Sequence, residues 1–180
     1  MSGVLMTLDM GPTVTGIAVG DLSGKLPIAE FWEMPSLGGE GAVYCHFGNQ
    51  LYDAIEAHKP TKIAIEKPLS VQGMLGKCQP DYIHRIEKMR GDVYEAGYRS
   101  SIPITAYSAD TIRSDLLGRC RWPGGSDEAK KHVLAHVRSL GLMISSFDAA
   151  DAVMVWLYVQ RRLRGIPTSS GDPLFRDAAD

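Results

Sequence analysis

The chain has 180 residues, 44% of them hydrophobic and 22% charged, with a formal net charge of −2. One domain of that length and apolar content can bury a real core, which excludes a disordered or fibrous protein. No apolar stretch reaches the ~18 residues of a membrane helix, and MSGVLMTLDM lacks the basic start and cleavage site of a secretory signal, so a cytoplasmic protein with no membrane partner is expected.

VLMTLDM (4–10) is rich in strand formers and ends at Asp9, just before Gly11-Pro12. TGIAVG (15–20) and PIAEFWEM (27–34) follow too closely for crossover helices, so the three segments read as an antiparallel meander. From 41 to 58, Val43, Phe47, Leu51, Ala54 and Ile55 recur at helical spacing. KIAIEKP (62–68) is a compact strand, 69–79 a polar loop and 80–97 a helix. SIPITAYS (101–108) reads as the fifth strand, 109–118 as a short helix and RCRWPGGS (119–126) as a loop. Helices over 127–141 and 148–164 complete the pattern, and 165–180 is a Gly/Pro/Ser-rich tail expected to be flexible. Strands first, then strands alternating with helices, predict an α/β fold: one mixed sheet with helices on its faces, a single domain over 1–164.

Cys45, Cys78 and Cys120 form no CxxC pair, which argues for a reducing compartment and against a zinc ribbon. They are expected as buried small apolar residues, and Met6, Met10, Met143 and Met154 as core filler. His132 and His136 stand four apart on one helix, but no third zinc ligand follows at motif spacing, so a packing or surface role is favoured.

Four acids stand apart. Asp9 ends the first strand, where it either caps the following turn or serves a site. Glu66 follows three apolar strand residues, and burying it unpaired would cost several kcal/mol unless a neighbour such as Lys67 neutralises it. Asp148 and Asp151 open the last helix, where an acid is a favoured cap and complements the helix dipole. The run AADAVMVWLY is apolar on nearly every side, so this helix must be deeply packed with its start against the sheet. Residues three apart share a helix face, so both carboxylates can project to one point. Carboxylates with water and phosphate suit a hard cation such as Mg²⁺, and two such ions ~4 Å apart serve in-line phosphoryl transfer. The set therefore predicts a metal-dependent nuclease more readily than an acid–base enzyme.

TLDMGPTVTGIAVG, IAIEKP and FDAADAVMVWLY resemble, in that order, the three acidic motifs of the RuvC-type Holliday-junction resolvases. The resemblance implies a ribonuclease-H-like fold, a five-stranded mixed sheet flanked by helices. It also implies a homodimer that uses two Mg²⁺ ions per site, with Mn²⁺ able to substitute, to nick opposed strands of a four-way DNA junction. Carried over by position, Asp9, Glu66, Asp148 and Asp151 are the catalytic, metal-binding acids, and the dimer interface and substrate-reading loop fall near 67–97. That family often carries an aromatic shortly after the second acid; here Leu69, Met74 and Leu75 occur and no aromatic precedes Tyr82. A broader branched-DNA endonuclease of phage type is therefore a second expectation. A non-catalytic junction binder is disfavoured by the presence of all four acids. An actin-like phosphate-binding ATPase, whose phosphate loop DMGPTVTG also resembles, is disfavoured by the lack of a duplicated domain.

Residues 1–60 hold two basic and seven acidic side chains, whereas 61–164 hold sixteen basic and eleven acidic ones. Contacts to DNA phosphates should come from this second part. The candidates are Lys67, Lys77, Arg85, Lys88, Arg113, Arg119, Arg121, Lys130 and Lys131, with Trp122 in the loop beside Arg119 and Arg121.

Overall fold

A computed structural model describes residues 3–24, 26–67 and 80–166. Its strands are β1 (Val4–Met10), β2 (Val14–Asp21), β3 (Ile28–Glu33), β4 (Lys62–Glu66) and β5 (Ile104–Tyr107). Its helices are α1 (Gly39–His58), α2 (Pro80–Arg99), α3 (Ala109–Leu117), α4 (Gly125–Ser139) and α5 (Phe147–Leu163). The five strands form one sheet in the order β3-β2-β1-β4-β5. β1, β2 and β3 pair antiparallel, as their short connections require, while β1–β4 and β4–β5 are parallel across helical crossovers. The expected mixed sheet with helices on both faces is what forms.

Side chains along a strand alternate between faces, and that alternation sorts the core into two layers. Met6, Leu8, Ile17, Val19, Ile63 and Ile65 pack under α1 and α2. Leu5, Ala18 and Ala64 face the other way, toward α5 and its neighbours. Where the helix crosses it, the α5 face carries Ala18 and Ala64 together with Gly16 and Gly20, small residues that let the helix lie close. On its outer side α5 is covered by α3 and α4. It is therefore buried on nearly all sides, including Trp156 and Tyr158, as its apolar sequence requires.

Several details differ from the sequence reading. β5 starts at Ile104 rather than 101, because Pro103 has no N–H to give the ladder and Ser101 sits at φ 56° in a turn. Met143 is fully exposed and Cys45 exposed, so neither is core: Met143 lies in the connection before the last helix, and Cys45 lies within α1 off the face formed by Val43, Phe47 and Leu51. Cys120 is only partly buried. Cys78, Leu69, Met74 and Leu75 lie outside the described residues. Among the described residues, no helix is long and apolar enough to cross a membrane.

Candidate active site

β1 and β4 run side by side and parallel, with Thr7 opposite Ala64 and Leu8 opposite Ile65. One residue further stand the two acids, Asp9 next to the last residue of β1 and Glu66 as the last residue of β4. Their parity is that of Thr7 and Ala64, so both side chains belong to the α5 face. Sites in sheets of parallel strands form beyond the carboxyl ends of those strands, and the first turn of α5 lies there. Asp9, Glu66, Asp148 and Asp151 line one cleft of about 450 Å³, together with Gly11, Tyr82, Arg113, Ser126 and Lys130.

Three features seat α5. The N-cap is Ser146, whose Oγ accepts from the Ala149 amide at 3.3 Å. Neither aspartate is therefore the cap, because the helix begins one residue earlier than Asp148; both carboxylates stay available to the cleft. Thr7 Oγ1, wholly buried on β1, donates to the Ala152 carbonyl at 2.7 Å and so ties the first turns of the helix to the strand that carries Asp9. Gly16, the ladder partner of Asp9, lies directly beneath the Asp148–Ala149 peptide.

The electrostatics follow from crowding. Burial, then the charges of Glu66, Asp151 and Asp148, hold the Asp9 carboxyl well above its ordinary pKa, against a weaker pull from Lys130. Glu66 is pushed up to about 7, first by burial and next by Asp151, with Arg113 and Lys130 opposing. Burial also raises Asp151, outweighing Arg113, which donates from Nη2 to Asp151 Oδ1 at 3.1 Å. Burial works against the Arg113 charge, but Asp151, Glu66 and Asp9 together hold its pKa above the ordinary value. Lys67 is exposed; the cations that temper Glu66 are Arg113 and Lys130, which come from α3 and α4.

Among the described residues, no three His, Cys, Asp or Glu side chains stand together ready to hold one metal ion. The carboxylates ring the cleft instead of closing on one point, and Asp151 leans toward Arg113. Their chemistry fits a hard divalent cation: all-oxygen donors, with the ionisation of Asp9, Glu66 and Asp151 opposed by burial and by neighbouring carboxylates.

The basic candidates scatter. Arg113 and Lys130 line the cleft, and Lys67 lines a small cavity of about 60 Å³ beside Asp9 and Glu66. Arg85 donates to the Pro12 carbonyl at 3.4 Å, in the turn after β1. Lys88 pairs with Asp92 and lies 5.6 Å from the Tyr44 ring centroid, so it serves the α1–α2 packing. Arg121 and Lys131 are exposed, and Lys131 stands 3.8 Å from Glu128. Arg119 borders a separate groove of about 510 Å³ with Trp122, His132 and His136. His132 stacks on Trp122 with ring centroids 5.4 Å apart. Lys77 lies outside the described residues. The sequence reading missed Tyr82 and Arg90, which wall these cavities from α2. Their spacing of eight, two turns of one helix face, was the available signal.

No family model matches the chain. Two curated relatives do: the crossover junction endodeoxyribonuclease RuvC of Aeromonas salmonicida is 26% identical over 163 residues, spanning 84% of this chain and 83% of that protein. The RuvC of Aeromonas hydrophila is 26% identical over 165 residues, spanning 86% and 84%. Among solved structures, Thermus thermophilus RuvC superposes with a TM-score of 0.71 at 19% identity, over 92% of this chain and 98% of that one. The chain is RuvC-like in sequence and in fold. The RuvC complex with a Holliday junction substrate matches with a TM-score of 0.70 at 18% identity, over 92% and 98% of the two chains. The yeast mitochondrial Holliday junction resolvase Ydc2 matches with a TM-score of 0.60 at 13% identity, over 89% and 80%. The ribonuclease-H-like fold expected from the RuvC-type motifs is therefore the one the chain has.

Proposed function

We propose that this chain is a divalent-metal-dependent endonuclease that cuts four-way DNA junctions, with Asp9, Glu66, Asp148 and Asp151 as its metal-binding acids. The observation that carries this reading is the convergence of four carboxylates from β1, β4 and α5 on one cleft, with Glu66 pushed to about 7 by burial and its neighbours. The RuvC likeness adds to it, because those relatives are crossover junction endodeoxyribonucleases and one is seen with a Holliday junction substrate.

When bound, a pair of Mg²⁺ or Mn²⁺ ions supplies Lewis acidity to the scissile phosphate and eases deprotonation of the attacking water. The protein's own part is to hold the four carboxylates at the strand ends and helix start. Arg113 orients Asp151, and together with Lys130 it offsets the negative charge of the phosphate entering the cleft. Tyr82, 44% exposed at the cleft, presents the ring that the segment just after Glu66 lacks, placed to stack on a base at a branch point. Arms of the junction extend over Lys67 and over the loop of Arg119, Arg121 and Trp122. Two such sites act together in a homodimer. Its contact is the outer face of α2, where Tyr94 and Tyr98 are exposed beside Gly91.

The test is a panel of labelled four-way, flap, fork and linear duplex DNA, incubated with and without Mg²⁺. Mg²⁺-dependent paired nicks in the four-way junction, with linear duplex left intact, are expected. Absence of metal-dependent cutting on every branched substrate would refute the enzyme. Preference for flaps or forks would replace the junction substrate by the broader branched-DNA class. Arg119→Ala with Arg121→Ala should weaken junction binding and flatten its salt dependence.

A further inference from the structure

Asp9 and Gly16 face each other across the β1–β2 ladder. Directly opposed residues of an antiparallel pair send their side chains to the same face, a few ångströms apart. Here that is the face on which α5 lies, and at position 16 the side chain is missing. A Cβ on residue 16 would stand 2.6 Å from the Ala149 nitrogen and closer still to the carbonyl carbon and oxygen of Asp148. All three are backbone atoms, so rotation of a side chain cannot relieve the overlap. The helix cannot simply slide away either, because Thr7 holds the Ala152 carbonyl and Ser146 closes the first turn. The peptide of Asp148 therefore occupies the volume that any side chain at 16 would need, and this places Asp148 beside Asp9.

Gly20 offers a comparison within the same strand and on the same face. A Cβ there would meet Pro27 Cα at 2.9 Å and Trp156 Cζ2 at 3.1 Å. It too lets α5 lie close to the sheet, but about two helical turns further along, with no carboxylate at the contact. Gly20 thus serves packing alone, while Gly16 joins packing to the spacing of two acids.

We propose that Gly16 is a positioning residue of the carboxylate cleft: its bare Cα sets how near the Asp148 carboxylate comes to Asp9, and thereby sets the divalent-cation affinity of the cleft. This rests on the metal-dependent nuclease reading given above.

The test measures Mn²⁺ binding to the DNA-free protein by electron paramagnetic resonance, with Tm recorded in parallel, for the unsubstituted chain, Gly16→Ala and Gly20→Ala. Both variants are expected to lose stability, which is all a structural role would produce. Only Gly16→Ala is expected to lose Mn²⁺ affinity, by roughly tenfold or more, the scale seen when ligand-orienting partners are removed. Asp148→Glu keeps the charge and lengthens the arm by one methylene, so it tests the spacing of the two acids in a chain whose residue 16 is unchanged. It should weaken Mn²⁺ binding in the otherwise native chain and partly restore it on the Gly16→Ala background. Equal Mn²⁺ affinity in Gly16→Ala and Gly20→Ala, or undiminished affinity in Asp148→Glu, overturns the proposal and leaves the nuclease reading standing. An unsubstituted protein that binds no Mn²⁺ overturns both.

Discussion

Glu66 shows what the cleft costs the metal-free protein. Its pKa is raised from 4.5 to about 7, so between those values the native state holds a proton that the unfolded chain has released. Stability linked to this group is present in full below the lower value and is lost as pH rises through the upper one. Asp9 and Asp151, also raised, act in the same direction. The metal-free Tm should therefore fall from pH 4.5 toward 7, and Mg²⁺ should restore most at the upper end, where its ligands are ionised. Calorimetry across that range checks this, and Glu66→Gln should flatten the metal-free profile; a native profile that is already flat contradicts it. At this scale the sequence showed which acids to watch but not their partners. Lys67 adjoins Glu66 in the chain yet stays at the surface, while Arg113 and Lys130 reach the cleft only through the packing of α3 and α4. Likewise Ser146 rather than Asp148 caps α5, a distinction of two residues that composition cannot draw.

The helix α5 links core and cleft. Its run of alanines, valines and Trp156 is buried between the sheet on one side and α3 and α4 on the other, so the element that carries Asp148 and Asp151 is also the centre of one core layer. Trp156→Ala removes a wholly buried ring and should cost about 3–5 kcal/mol, measured by denaturant unfolding. A loss under about 1 kcal/mol would mean that the ring is not packed as described. The element order was legible because periods of 2 and 3.6 are strong over these segments, and the short early connections forced the meander. Ends were less legible: β5 loses its first three expected residues to Pro103 and the Ser101 turn. The helix 127–141 starts instead at Gly125 and ends at Ser139. Which small residues meet α5 could not be read either, since Gly16 looks like any strand glycine until the strand is paired.

For the whole molecule, the uneven charge now has a location. Arg113 and Lys130 stand at the cleft, and Arg119 and Arg121 stand beyond it on the loop that leads into α4. Paired nicking of opposed strands asks for two clefts held at a fixed separation, which is why self-association belongs to the proposal. Tyr98, 89% exposed, lies on the same helix as Tyr82 at the cleft, so a contact there would set the spacing of two sites. Tyr98→Asp should convert a dimer to monomers in sedimentation equilibrium and replace paired nicks by single ones. Dimers that persist with the substitution would place the contact elsewhere, and a protein that is monomeric without it would overturn the homodimer.

The four carboxylates are proposed to form a metal site that cuts branched DNA, and not merely the start of a buried helix. The most direct measurement compares the unsubstituted chain with Asp148→Asn on one labelled four-way junction, following both binding and Mg²⁺-dependent cleavage. Cleavage should fall by more than about a hundredfold while junction affinity and Tm hold within a small margin, since a lost ligand outweighs the 10- to 100-fold effect of a lost ligand partner. Retained cleavage, or loss of binding and Tm together with cleavage, would contradict it and return Asp148 to the helix.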